Sequence, residues 1–444
     1  MKRYLNTLIA LALFLGLWGG FNYYNRRKAK KIEQAALKPA GSVLGISAAH
    51  IQSVSLTPRD GKTITCQLQG KKWTIVAPEA LPADTEKIQS FVNTVATAAE
   101  DHEVEAHPSS LKDYGLDPPS ETIQVQSDAN PKSATLLLGD LTPTNEGVYA
   151  QVQGSPRVFT LPGYMKSSLE KSLFDLRDTR AITLDADSIN RIEADSGGKK
   201  FTLAKNPEGD WELDLPPAVR ADRFTVQSLT DAVRGLTMAN IVEEDKKNQG
   251  KYGFAKPTLT LKVATPDGSQ TLVVGKLDGG NYDAMNSSLA PIFTLATSSI
   301  TAFQKTAADL RDKDLFSWDE FDVTKIELDT PKGHFALTKQ GDKWNETAPA
   351  AKTVAADKVT NLLTSLRDLR ATTFPAAKPG DSSAFGLNKP AYTLKVTYGN
   401  KNQTQIVEAV AATGHAYARR SDDPLPSEVT PSSLQDIDKA LSSL

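Results

Sequence analysis

Apolar and polar residues alternate along much of the chain, and the alternation itself repeats. The run IQSVSL at 51–56 opens a segment in which Val54 and Leu56, then Ile64, Cys66 and Leu68, recur with period two. Period two is the signature of strands with one face buried. INRIEA at 189–194 and VTKIEL at 323–328 open in the same way, and each opening leads to a second strand-like run: TITCQL, KFTLAK and HFALTK. Each copy then reaches a tryptophan, at Trp73, Trp211 and Trp344, spaced by 138 and 133 residues. A second landmark lies 41 residues beyond each tryptophan: Tyr114-Gly115-Leu116, Tyr252-Gly253-Phe254 and Phe385-Gly386-Leu387, followed by Pro118, Pro257 and Pro390. Glycine there permits positive φ and proline sets the next segment, so the landmark predicts a turn with an aromatic plug.

Between tryptophan and landmark the period changes. Ile88, Phe91, Val92 and Val95, like Val359, Leu362, Leu363 and Leu366, fall on one helical face. Asp84, Asp222 and Asp357 precede these stretches and are expected to cap them. Strand-like runs resume after the landmark, and a closing helix is expected at 164–176 and its counterparts. The fold class expected is α+β: an N-terminal transmembrane helix, then three tandem repeats of a mostly antiparallel sheet with helices. The boundaries expected are 1–25 anchor, 26–47 basic and flexible tether, 48–182 first repeat, 183–318 second, and 319–444 third. The third copy lacks the Leu-Arg-Asp helix end found at Arg177-Asp178 and Arg311-Asp312, and has no clear counterpart of Gly139 and Gly275. It is expected to be a divergent or capping version.

Residues 5–24 are uncharged and 20 long. At about 1.5 Å per residue they make about 30 Å of helix, the depth of a hydrocarbon core. A cleaved signal peptide, a buried core helix and an uncleaved anchor compete. The length, the missing charge and the lack of a small-x-small site favour the anchor, with Trp18, Tyr23 and Tyr24 toward its end at headgroup level. The lipid bilayer is then a partner through residues 5–24, and the localisation expected is the inner membrane, single-pass. Lys2 and Arg3 would hold the N-terminus inside, whereas Arg26, Arg27, Lys28, Lys30 and Lys31 argue for the reverse. The repeats are expected outside the cytoplasm.

The composition is that of an ordinary globular protein, 39% hydrophobic and 23% charged, with net charge −2. No basic field favours nucleic acid. Five histidines and Cys66 offer little for metal or thiol chemistry. His102 and His107, in HEVEAH, are one residue too far apart to share a helical face, so a solvated acidic linker is expected there. No phosphate loop, nucleophile elbow or dinucleotide motif is present. Neither catalytic, cofactor-binding nor metal-binding residues are assigned. The tryptophans read as core residues, with ligand stacking as the alternative. Glu243-Glu244-Asp245 and Asp422-Asp423 read as solubilising surface, Leu-Arg-Asp as an exposed ion pair, and Asn286, Asn345 and Asn402 match the glycosylation triplet.

The repeated tryptophan, the aromatic-Gly-x-Pro-like turn and the Leu-Arg-Asp helix end resemble a bacterial family known only as domain of unknown function 4340. The likeness runs from about residue 50 to the end. It implies a membrane-anchored, extracytoplasmic repeat protein, often associated with gliding-motility-type ABC transporters, and it brings no catalytic residues. A non-enzymatic scaffold or auxiliary protein of an envelope complex is therefore expected, with an ABC-type permease or its auxiliary subunits as partner. A binding module for envelope glycan or lipid and an anchored envelope hydrolase are the alternatives.

Overall fold

The computed structural model describes residues 41–378, 381–423 and 425–444. The proposed anchor and most of the tether lie outside the described residues, among which no helix is long and apolar enough to cross a membrane.

The first repeat opens with a meander, β1 (Ile51–Pro58), β2 (Ile64–Gln69) and β3 (Lys72–Ala77). Helix α1 (Thr85–Thr97) then leads to β4 (His102–Glu105). A second meander follows: β5 (Glu121–Ser127), β6 (Ser133–Leu141), β7 (Gly147–Val152) and β8 (Val158–Pro162). Two short helices, α2 (Met165–Leu169) and α3 (Leu173–Leu176), close it, so the single closing helix expected at 164–176 is split. All strands pair antiparallel in the order β3-β2-β1-β5-β6-β7-β8-β4. The first strand is therefore central, and the strand after the helix lies at the far edge.

The second repeat contains β9 (Arg191–Ser196), β10 (Lys199–Lys205), β11 (Trp211–Leu213), β12 (Val219–Arg220), α4 (Arg223–Arg234) and β13 (Asn240–Glu243). It continues with β14 (Leu259–Thr265), β15 (Gly268–Asp278), β16 (Asn281–Asn286), β17 (Ile292–Ala296) and α5 (Ala307–Leu310). The third contains β18 (Val323–Thr330), β19 (Gly333–Gln340), β20 (Lys343–Ala348), β21 (Lys352–Val354), α6 (Ala356–Arg367) and β22 (Ala371–Thr373). It ends with β23 (Tyr392–Tyr398), β24 (Gln403–Ala412), β25 (His415–Arg420), β26 (Ser427–Val429) and α7 (Pro431–Ser442). Their sheets have the orders β12-β11-β10-β9-β14-β15-β16-β17-β13 and β21-β20-β19-β18-β23-β24-β25-β26-β22, the first topology with one added edge strand each.

The register repeats as well. Val54 sits between Cys66 and Val125, Ile192 between Leu203 and Val263, and Ile326 between Leu337 and Val396. These rows are buried under one helix per repeat, through Ile88, Phe91, Val92 and Val95 in α1 and Val359, Leu362, Leu363 and Leu366 in α6. Each such side chain contributes about 1.5–3 kcal/mol by leaving water. The caps differ between copies. Asp84 accepts from the Glu86 and Lys87 amides and Asp222 from the Thr225 amide, as expected. In the third copy the cap position falls on Ala355, and Asp357 lies inside the first turn.

The tether is shorter than its sequence suggests. Leu44 and Ile46 are buried in the first core, and Ser42 bridges to Ala99. Arg180 bridges to Thr237 and Asp314 to Arg370 at the equivalent places, so each repeat begins with this entering segment. HEVEAH also departs from expectation, because its first four residues form the edge strand β4 on β8. Both faces of that strand are exposed, so it lacks the alternation that marks a strand. The third copy has a complete sheet and a continuous closing helix of 12 residues in place of two short ones. The first repeat forms one compact body, ending at Thr179. The second and third together form another, Arg180–Leu444.

Candidate functional site

The landmark residues have local structural roles. Gly115, Gly253 and Gly386 have φ of 65°, 79° and 73°, the left-handed conformation glycine adopts without strain. Tyr114 stacks edge-on against Tyr149 at 5.0 Å, and Phe385 against Tyr417 at 5.1 Å. The Tyr114 hydroxyl donates to Glu105 on β4 at 2.6 Å, tying the turn to the sheet edge. Tyr252 is buried beside Glu243 and Lys251, which pair at 2.7 Å. Gly139 and Gly275 lie against the Tyr114 and Tyr252 carbonyl oxygens, where a Cβ would collide.

The tryptophans part company. Trp73 is 2% exposed, and its indole donates to Gln89 at 3.0 Å. Trp344 is 6% exposed. Trp211 is only half-buried, with the Lys205 ammonium 5.4 Å from its ring centroid. It lines a cleft of about 890 Å³ between the second and third repeats. From the second repeat come Asn206, Glu212, Arg220 and Arg223, and from the third Tyr398, Gln403, Gln405 and Arg420.

Polar side chains in this cleft hold one another in place. Arg220 pairs with Asp312 at 3.0 Å and donates to the Ser317 hydroxyl at 3.1 Å. The Gln405 amide donates to that hydroxyl at 2.7 Å and accepts from the Ser317 backbone amide at 3.0 Å. Arg420, buried, grips Asp422 with two hydrogen bonds of 2.8 and 2.6 Å. Burial acts to raise the Asp422 carboxyl, but the Arg420 hydrogen bonds and the positive charges of Arg420 and Arg220 together outweigh it and hold the group below its usual range. Asp312 is raised, because burial outweighs Arg220 and its other hydrogen-bonding partners. Asn206 donates to Glu212 at 2.9 Å.

The acidic and basic pairs are thus less superficial than expected. Arg311 is buried and joined to Asp423, so neither Leu-Arg-Asp nor Asp422-Asp423 is simply solvated surface in this body. Arg311 also forms an isolated bridge with Ala221, the residue before the α4 cap. Asn286 is fully buried, donating to the Ala181 carbonyl at 2.7 Å, which removes it as a glycosylation acceptor in the folded chain.

The first repeat also holds a polar cluster that the sequence pattern does not mark. Lys166 donates to Glu170 at 2.5 Å, to the Ser120 hydroxyl at 3.1 Å and to the Gly139 carbonyl at 3.0 Å. Glu121 is buried beside it, and burial, with help from Glu170, pushes its carboxyl up to about 7. Ser120 and Lys166 have the residue types of a nucleophile and base. The Ser120 hydroxyl donates to Glu170 at 2.7 Å, so Glu170 receives bonds from both the serine and the lysine. Thr258-Leu259 and Ala391-Tyr392 stand where Ser120-Glu121 would be, so the cluster belongs to the first copy alone. Cys66 is fully buried, and burial pushes its thiol up to about 12. Among the described residues no group of three His, Cys, Asp or Glu side chains could hold a metal ion.

No curated protein and no solved structure matches the chain. The domain of unknown function DUF4340 matches it three times, over residues 73–214, 211–390 and 347–430. Each match starts at or just after a repeat tryptophan, so the family's sequence period is that of the sheets. With matches extending from residue 73 to residue 430, the chain belongs to the DUF4340 family.

Proposed function

We propose that this chain is a membrane-tethered, non-enzymatic scaffold that assists an envelope complex, with an ABC-type transporter as the partner class. One observation carries the reading. Three copies of one sheet recur with their shared landmarks in packing and turn roles, while the second repeat is joined to the third by Arg311, which binds Asp423 and the Leu425 carbonyl, and by Arg220, which shares the Ser317 hydroxyl with Gln405. The second and third modules, held this way, present their surfaces at a fixed spacing, and multivalent contact needs only weak individual sites. The uncharged segment 5–24 supplies the proposed tether, which would place the repeats outside the cytoplasm at the inner membrane.

The test is affinity capture of the full-length chain from cross-linked membranes, beside a variant whose 5–24 segment carries two arginines. Recovery of a transporter permease or ATPase with the first and not the second supports the proposal. Recovery of no membrane protein with either rejects it.

A further inference from the structure

We propose that the cleft between the second and third repeats is a binding site for a neutral oligosaccharide, with Trp211 as its stacking platform. The inference is independent of the scaffold reading, since it rests on the cleft's own chemistry.

The first point is the tryptophan. Equivalent indoles at Trp73 and Trp344 are core residues, so the repeat does not require this position to be accessible. In the second copy the ring is half-buried at the cleft wall, with Tyr398 of the third repeat also lining the cleft. An accessible indole offers a large, rigid apolar face with little rotamer entropy to lose, which suits the C–H face of a sugar ring.

The second point is charge. The cleft is lined by three guanidinium groups, Arg220, Arg223 and Arg420, and by three carboxylates, Asp210, Glu212 and Asp422, which cancel. Arg420 is occupied by Asp422, and Arg220 by Asp312. A lining whose charges balance creates no strong net field that would draw in a phosphate or a polyanion.

The third point is hydrogen-bonding capacity. Asn206, Gln227, Gln403 and Gln405 bring side-chain amides, each able to donate and accept, which is what adjacent hydroxyls on one ring require. Arg220, Ser317 and Gln405 are already fixed by the bonds given above, so little ordering remains to be done on binding. An acyl chain would leave these polar groups unpaired, which excludes a lipid tail as the occupant. The volume, about 890 Å³, is that of sites for compact ligands.

The test uses the full-length chain in detergent, titrated calorimetrically with chitotetraose, maltotetraose and cellotetraose as neutral probes. Heparin and an extended Ala/Ser peptide serve as the other classes. Binding of at least one neutral saccharide at millimolar Kd or tighter is expected, insensitive to salt between about 0.05 and 0.5 M. Trp211→Ala and Gln403→Ala should each weaken it about tenfold, a loss of about 1.4 kcal/mol. Trp211→Tyr keeps a ring and should stay within about threefold, which separates lost stacking from a misfolded edge. Phe321→Ser, at a site 86% exposed and outside the cleft, should change nothing. The proposal fails if no neutral saccharide binds, if Trp211→Ala leaves binding unchanged, or if only heparin or the peptide binds. A captured transporter together with a saccharide-blind cleft would reject this inference and leave the scaffold reading standing.

Discussion

The Arg311 guanidinium donates to Asp423 at 2.8 Å across 112 residues of chain, with side-chain exposures of 6% and 13%. A second bond reaches the Leu425 carbonyl at 3.0 Å, and the Phe374 ring centroid lies 4.3 Å from the guanidinium carbon. The pair joins the end of the second repeat to the third. Taking two charges out of water costs about as much as their attraction returns, so the pair secures orientation more than it adds stability. Breaking it is another matter. Arg311→Ala is expected to destabilise the Arg180–Leu444 body by about 3–5 kcal/mol, because Asp423 is left buried and unpaired. Arg311→Met with Asp423→Leu should recover most of that loss, since the methionine keeps the contact with Phe374. Urea unfolding of the single and double variants decides it. Equal losses in the two would show that packing, not charge, is at stake.

The aromatic turn predicts a sharper local effect. Gly139 passes under the Tyr114 carbonyl oxygen, and the Cβ of an alanine there would overlap it. Gly139→Ala is expected to cost about 2–4 kcal/mol, through a forced shift of the turn or of β6. Gly154→Ala, with open space around the Cβ, should cost only the strain of its φ of 88°, about 1 kcal/mol. Thermal unfolding of the two variants side by side checks the difference. If they shift equally, the close approach to Tyr114 is not what selects glycine at 139.

How much of this was legible follows from which forces act locally. Val54, Cys66 and Val125 share one row because each strand buries alternate residues, and that pattern is written in the chain. The positive φ of Gly115, Gly253 and Gly386 follows from the landmark itself. Edge strand β4 was hidden because His102–Glu105 is exposed on both faces and carries no alternation. Asp357 misled because the aspartate lies two residues past the cap position that Ala355 occupies. The candidate cleft was least legible of all. Trp211 is indistinguishable from Trp73 and Trp344 in the repeat pattern, and only the approach of Tyr398 and Gln403 shows it to be different. Arg311 and Asp423 are remote in sequence, so nothing near either one marks it as buried.

Cys66 should be chemically silent. Its thiol is fully buried in β2 and pushed up to about 12 by that burial, far above the ordinary thiol range. The thiolate is the reactive species, so the native protein at pH 8 is expected to resist iodoacetamide and to react only on unfolding. Mass-spectrometric counting of alkylated cysteine, with and without urea, tests this. Fast labelling of the folded chain would mean that the first core opens readily at β2.

Glu121 makes the first repeat sensitive to pH near neutrality. Its carboxyl is raised from 4.5 to about 7, chiefly by burial and secondarily by Glu170, with Lys166 opposing. A carboxyl raised in the folded state binds its proton more tightly there than in the unfolded chain. The stability this provides is fully present below about 4.5 and is lost as pH rises through about 7. The difference corresponds to at most about 3 kcal/mol between the two limits. Glu121→Gln keeps the shape and removes the titration. It should match the parent at pH 5 and exceed it by about 2 kcal/mol at pH 8. Urea unfolding of both proteins at pH 5, 6, 7 and 8 gives the difference directly, cancelling groups that titrate in both. A difference that stays flat across that range would place the Glu121 carboxyl in its ordinary range and leave Lys166 as its effective counter-ion.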